Sequence, residues 1–361
     1  MIALASASIL FTLLIVEVSI RFIPGFFPDV ISLYFRDEEY QRWGLRPDEN
    51  LGYVYAPDLV DYPVPINDTM VYTYSVSTVS LGYDNVGFRD DGIDGEVDAI
   101  VLGDSFAICM GVEMQECWVE ILEKETGRDF ANLGVLDYSP QQELHMLKRY
   151  GLPLKPKLVL WTFFPNDAND AWRFEEFGKG AVEGKFWNNP IRAWLAQNSV
   201  IYTTLSFFRY NRYLFYNHAK ADGETIPRDT DLIWWLTHTD LTNPSIAEGF
   251  DITQRAILEA NEQIQAQLDD AKLVVVIIPF REQMKYTNSA LQPQLDGLSN
   301  ALVDFCQKNG IPVVDLTPAM REKMKGERDG LYYQRDLHLN ARGNEIVAEL
   351  LNKNLPAVLC E

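Results

Sequence analysis

The sequence predicts an α/β protein of three layers, a doubly wound parallel sheet with helices on both faces. Two observations predict it. Short runs that are apolar at nearly every position recur along the chain: "AIVLG" (99–103), "DFANLG" (129–134), "KLVLWTFF" (157–164), "KLVVVIIPF" (272–280) and "IPVVDLT" (311–317). Between and after them lie helical stretches, near 115–126, 139–150, 252–270, 290–309 and from about 341. A continuously apolar run suits a strand buried on both sides, and strands separated by helices pair in parallel.

Composition narrows the class. With 361 residues, 47% of them hydrophobic, the chain can bury a substantial core. Its net charge of -21, with no basic stripe, would repel a phosphate backbone, so nucleic acid is excluded as a partner. The four cysteines (Cys109, Cys117, Cys306 and Cys360) form no CxxC pair and no Cys/His metal spacing. They read as free, largely buried thiols, with a Cys109–Cys117 disulfide as the alternative. No two-His-plus-carboxylate cluster is visible, so neither a metal nor a cofactor is expected.

The chain then divides. Residues Ile2 to Val16 carry no charge, and the apolar character continues past Glu17 to Ile20. About 20 helical residues cross a hydrocarbon core. A basic leader and a small-residue cleavage site are both missing, so residues 1–27 read as an uncleaved membrane anchor, with a signal segment as the alternative. The remainder is expected to be extracytoplasmic. Residues 28–97, rich in Tyr, Pro, Asp and Val, suggest a β-rich juxtamembrane preface. The main domain follows at 98–361, interrupted at about 167–250 by an aromatic-rich insertion containing "FWNNPIRAW" and "DLIWWLTH". That is too long for a loop, and it reads as helical.

In open α/β sheets ligands bind beyond the carboxyl ends of the strands, so polar residues there are the candidates. Ser105 follows the first strand, in "GDSF"; Asn132 and Gly134 end the second; Asn166 and Asp167 follow the third, in "PND". Arg281 and Glu282 follow the fourth and are candidates for substrate contact, and Asp336 and His338 precede the last helix in "RDLHLN". Asp104 and Asp167 read as turn formers that bond backbone amides. The remaining histidines, His145, His218 and His238, read as surface or packing residues.

These clusters, in this order, resemble the SGNH (GDSL-like) hydrolase superfamily, in particular a bacterial membrane-anchored branch. The resemblance rests on "GDSFAICMGVE", "NLGV", "VVVIIPFREQ" and "YYQRDLHLNARGNEIVAELL" and spans about residues 98–355. It implies a flavodoxin-like, five-stranded parallel sheet and a serine esterase or acyltransferase. Ser105 would be the nucleophile, His338 the base that takes its proton, and Asp336 the group that orients His338. The backbone N–H groups of Ser105 and Gly134 and the Asn166 amide would form the oxyanion hole. The chain departs from the family pattern in three places. The acid–base pair is spaced D-x-H rather than D-x-x-H, as in polysaccharide O-acetyltransferase-like relatives. Pro165 stands where a glycine is usual, and no second glycine follows Gly134, with Asp137 and Tyr138 near its place. No G-x-S-x-G elbow is present, which disfavours the larger α/β-hydrolase family.

Three functions follow in order. The first is hydrolysis of an acyl ester, in particular an O-acetyl group, on a cell-surface glycan or lipid. The second is transfer of the same acyl group to a sugar hydroxyl. The third is a non-catalytic, membrane-tethered glycan-binding protein. A flavin site is disfavoured, because Asp104 occupies the loop that would have to cradle phosphate.

Overall fold

The strands seen in the computed structural model fall into an N-terminal antiparallel group and a central parallel one. The structure describes residues 43–65, 73–177, 230–324, 330–333 and 336–359, with a few isolated positions between 8 and 19 and at 199 and 201. The first group comprises β1 (Leu45–Asp48), β2 (Gly52–Tyr55), β3 (Tyr62–Pro65), β4 (Thr73–Val76), β5 (Val79–Ser80) and β6 (Gly87–Phe88). It forms a four-stranded sheet in the order β1-β2-β6-β5 and a separate β3-β4 pair.

The second group is the predicted sheet. Its strands are β7 (Ala99–Leu102), β8 (Phe130–Asn132), β9 (Leu158–Phe163), β10 (Lys272–Ile277) and β11 (Val313–Asp315). They lie in the order β11-β10-β9-β7-β8, and every neighbouring pair is parallel. The chain runs outward from β7 to β8 and then returns to the other side of β7 to lay down β9. The order therefore reverses between β7 and β9, and a crevice opens at their carboxyl ends.

The apolar strands are explained by what covers them. Ile100, Leu102, Val159, Trp161, Phe163, Val275 and Ile277 enter one core, shared with α5 (Pro244–Gln267) and the N-terminal strands. Ala99, Val101, Leu158, Leu160, Val274 and Val276 enter the other, against α1 (Trp118–Thr126) and α10 (Ala341–Leu359). Successive side chains point to opposite faces, so covering both faces demands apolar residues at every position.

The remaining helices are α2 (Pro140–Met146), α3 (Asp167–Phe177), α4 (Thr230–His238), α6 (Arg281–Lys285), α7 (Gln292–Leu295), α8 (Gly297–Lys308) and α9 (Thr317–Lys323). The insertion expected at about 167–250 contributes α3, α4 and the start of α5; residues 178–198 and 202–229 lie outside the described residues. Helices α3 and α5 pack closely at Gly249, where a Cβ would stand 1.7 Å from the Ala168 carbonyl oxygen. Most of the segment expected as a membrane anchor also lies outside the described residues, and among those described no helix is long and apolar enough to cross a membrane.

One expectation is corrected. Cys109 and Cys117 are not free thiols but form a disulfide, and Cys306 is a buried free thiol. The chain between the two cysteines turns back before α1 begins, which brings residues eight apart into bonding range. Both cysteines are buried against the second core.

Closing a loop of this size stabilises the folded state by roughly 2–3 kcal/mol, chiefly by restricting the unfolded chain. The double variant Cys109→Ala/Cys117→Ala is expected to lower the thermal midpoint by ~3–4 °C. Calorimetry on the oxidised protein and the variant checks this.

Candidate active site

The segment after β7 is shaped by two small-residue constraints. Gly103 has φ +150, and a Cβ there would stand 1.8 Å from Thr162 Oγ1 on β9. That hydroxyl donates to the Leu102 carbonyl at 2.8 Å, so the end of β7 lies tight against β9. Asp104 then accepts the Phe106 N–H at 2.9 Å, closing the turn that carries Ser105. A turn region follows: the Met110 N–H returns to the Ser105 carbonyl at 2.9 Å, and regular α-helix begins at Trp118, within the stretch expected near 115–126.

A second loop brings the base. Residues Tyr332 and Leu339 form an antiparallel bridge, and the Tyr333 N–H donates to the His338 carbonyl at 3.0 Å. Asp336 and His338 stand between these anchors. The short D-x-H spacing is accommodated because one carboxylate oxygen serves twice. Asp336 Oδ1 accepts the His338 backbone N–H at 2.9 Å and lies 2.5 Å from its ring Nδ1. The other ring nitrogen, Nε2, is 2.8 Å from Ser105 Oγ. A carboxylate can only accept, so Nδ1 carries the proton, and Nε2 is left to accept from the serine hydroxyl. Residues 233 positions apart thus form one continuous relay. Phe106 lies beside the His338 ring at 5.1 Å and stacks on Phe164 at 3.7 Å, giving the relay an apolar backing.

Electrostatics keep Asp336 ionised. Burial pushes its carboxyl upward, but the hydrogen bond and charge of the His338 ring, the His338 backbone N–H and the Arg281 charge outweigh this and hold it below its ordinary value. Arg281 and Glu282, the candidates for substrate contact, are buried at the start of α6 and paired with each other at 2.9 Å. Arg281 Nη1 also donates to the Tyr333 carbonyl at 3.3 Å, so the pair reaches the site from behind the histidine loop.

The three oxyanion candidates lie at the ends of β7, β8 and β9. The Gly134 N–H donates to Asn132 Oδ1 at 3.1 Å, while Asn132 Nδ2 donates to the Ala107 carbonyl at 2.9 Å. Asn132 therefore ties the serine turn to the glycine loop. A Cβ on Gly134 would stand 2.6 Å from the Ala107 Cβ, so this approach needs glycine. Asn166 Nδ2 donates to Asp170 Oδ2 at 2.7 Å and to Asp104 Oδ2 at 3.3 Å. Asp167 acts as a turn former, accepting the Phe164 N–H at 3.1 Å.

Behind Asn166 lies a buried acidic group that sequence reasoning missed. Asp104, Glu143, Asp167 and Asp170 are all buried, and desolvation raises all four carboxyls, to about 6 for Asp104 and about 7 for Asp170. Glu143 and Asp167 are raised further, each pushed in addition by the charge of its acidic neighbours. Of the other histidines, His145 lies in α2 and His238 ends α4, stacked on Trp234 at 3.7 Å; His218 lies outside the described residues.

The GDSL-like lipase/acylhydrolase family matches residues 101–346, about two thirds of the chain, and the chain belongs to it as an ester-hydrolysing enzyme. Comparison with curated proteins finds no match. Among solved structures the chain is similar to a member of the lipolytic protein G-D-S-L family from Veillonella parvula, at 12% identity over 72% of this chain and 97% of that one, with a TM-score of 0.40. It is also similar to a catalytic mutant of Axe2, an acetylxylan esterase from Geobacillus stearothermophilus, at 12% identity over 72% and 94% of the two chains, with a TM-score of 0.43.

The acidic group makes stability depend on pH. Folded Asp104 and Asp170 keep protons up to about 6 and about 7, where the unfolded chain has already lost them. The folded state therefore binds more protons from ~4 upward, and stability falls as pH rises through that window. Asp336 acts in the opposite sense, losing its contribution only as pH falls below the ordinary carboxylate range. The thermal midpoint is expected to rise by ~5 °C between pH 7.5 and 5, and less so in Asp170→Asn. Thermal scans across pH check both.

Proposed function

We propose that the chain is a serine esterase that removes an acyl group, in particular O-acetyl, from a cell-surface glycan or lipid. The observation that carries this reading is the unbroken relay from Ser105 Oγ through His338 to Asp336. As Oγ bonds to the ester carbonyl carbon, its proton passes to Nε2, and Asp336 stabilises the imidazolium that results. Nε2 then returns the proton to the departing alcohol oxygen. A water attacks the acyl-serine, giving its proton to Nε2, and the acid leaves as Ser105 recovers its hydrogen. The negative oxygen formed in each half is assigned to the N–H groups of Ser105 and Gly134 and to the Asn166 amide. Gly134 would turn its N–H from Asn132 Oδ1, and Asn166 its longer hydrogen bond, the one to Asp104, toward that oxygen.

The membrane part of this reading is supported only by the sequence, in the apolar segment Ile2 to Val16 read as an N-terminal anchor. An extracytoplasmic position is supported by the Cys109–Cys117 disulfide, since such bonds persist where the surroundings are oxidising. The Asp-x-His spacing favours a second reading, O-acyl transfer, in which a sugar hydroxyl replaces water in the second half.

A fluorophosphonate is expected to label Ser105, as read by peptide mass spectrometry, with labelling abolished in Ser105→Ala and strongly slowed in His338→Ala. Hydrolysis of p-nitrophenyl acetate is expected to fall ~10³-fold or more in either variant and ~10²-fold in Asn166→Ala. An unlabelled Ser105 in the folded protein would leave a glycan-binding role. Acylated sugar in place of free acetate, when a glycan acceptor is added, would select the transferase.

A further inference from the structure

Arg89 lies just beyond β6, in the N-terminal β region, and is 2% exposed. Among the described residues no carboxylate pairs with it. Its guanidinium instead gathers main-chain carbonyls. Nη1 donates to Ile108 and, at 3.0 Å, to Cys109; Nη2 donates to Val112 at 2.6 Å and to Ser75 at 3.2 Å. Three of these four carbonyls belong to residues 108–112, the segment that begins three positions after Ser105 and includes Cys109 at φ 55. The Nε is buried without a hydrogen-bond partner, so the two Nη groups make all of these bonds, and the planar fork can hold several carbonyls in one fixed arrangement.

The same segment is held by a second side chain. Tyr333 Oη donates to the Gly111 carbonyl at 2.6 Å, and the Tyr333 N–H donates to the His338 carbonyl. Arg89 and Tyr333 therefore both hold one five-residue hook, at different carbonyls. The hook is joined to the nucleophile by the Met110–Ser105 backbone hydrogen bond, and Tyr333 is joined to the loop of the base. The neighbour of Arg89 extends the support, since Asp90 Oδ2 accepts the Asn132 N–H at 2.9 Å at the end of β8.

We propose that Arg89 is a positioning residue for the reaction: it fixes the 108–112 hook, and Tyr333 carries that fixation to His338, so that Ser105 Oγ and Nε2 stay within bonding distance. The N-terminal β region is then part of the working site. This rests on the reading of Ser105 as the nucleophile. A small displacement of the hook lengthens the proton-transfer distance while leaving the substrate's binding surface in place, so the effect falls on kcat and not on KM.

The test uses the full chain with Tyr333→Phe, Arg89→Lys and the double variant. Tyr333→Phe removes one hydroxyl from a partly exposed position and serves if Arg89→Lys does not fold. Expected are a ~10-fold loss of kcat in Tyr333→Phe with KM within ~2-fold, and a parallel loss in the rate of fluorophosphonate labelling at Ser105. The larger loss in Arg89→Lys and that in Tyr333→Phe should combine to less than their product, because both act through one hook. Wild-type labelling with an equal rate in folded Tyr333→Phe overturns this inference and leaves the esterase reading standing. Independent, multiplicative losses in the double variant overturn the shared hook. Failure of wild-type Ser105 to label overturns the esterase reading and the inference with it.

Discussion

A parallel sheet covered on both faces can place polar side chains only where its strands end. Along β7, β9 and β10 nearly every side chain is buried, and the strand interiors offer no room for a group that must meet water or substrate. The chain order reverses between β7 and β9, so the connections leaving these two strands diverge and open a crevice. Ser105 follows β7, Asn166 follows β9, and the loop before α10 brings Asp336 and His338 to Ser105.

Holding those groups in register requires that neighbouring loops be tied down from outside the sheet. The N-terminal β region supplies several ties. Arg89 and Ser75 hold residues 108–113 after the serine, while the Tyr53 hydroxyl lies 2.9 and 3.0 Å from the Leu136 and Asp137 carbonyls after Gly134. Asp90 covers the last N–H of the edge strand β8. These contacts join the antiparallel strands to the carboxyl end of the parallel sheet. Desolvation runs through the same region: the Asp90 carboxyl is pushed up to about 7, and the acids behind Asn166 are raised in the same way. The site sits in a polar interior whose charges are held down by burial, with Asp336 the exception because the His338 ring opposes that trend.

Much of this was legible in the residues. The five parallel strands could be read because double burial writes itself into sequence as unbroken apolar runs. Ser105, Gly134, Asn166 and the Asp336–His338 pair could be read because each follows a strand or precedes the last helix. Other features left weaker traces. Nothing in a spacing of eight says whether a chain folds back, so Cys109 and Cys117 looked like separate thiols although they are joined. Arg281 and Glu282 follow a strand end, where substrate contact and an ion pair were both open readings, and the structure shows them paired with each other in the interior.

The amino-acid sequence alone determined the layered α/β class and the family, since burial pattern and side-chain type are local properties. Tertiary structure alone decided that Ser105 Oγ meets His338 Nε2 at 2.8 Å, and that one aspartate oxygen serves both the ring and the backbone of that histidine. It also decided the work of Arg89 and Tyr333. Both act on main-chain carbonyls, which every residue possesses, so their partners leave no mark on residue identity and are found only by distance.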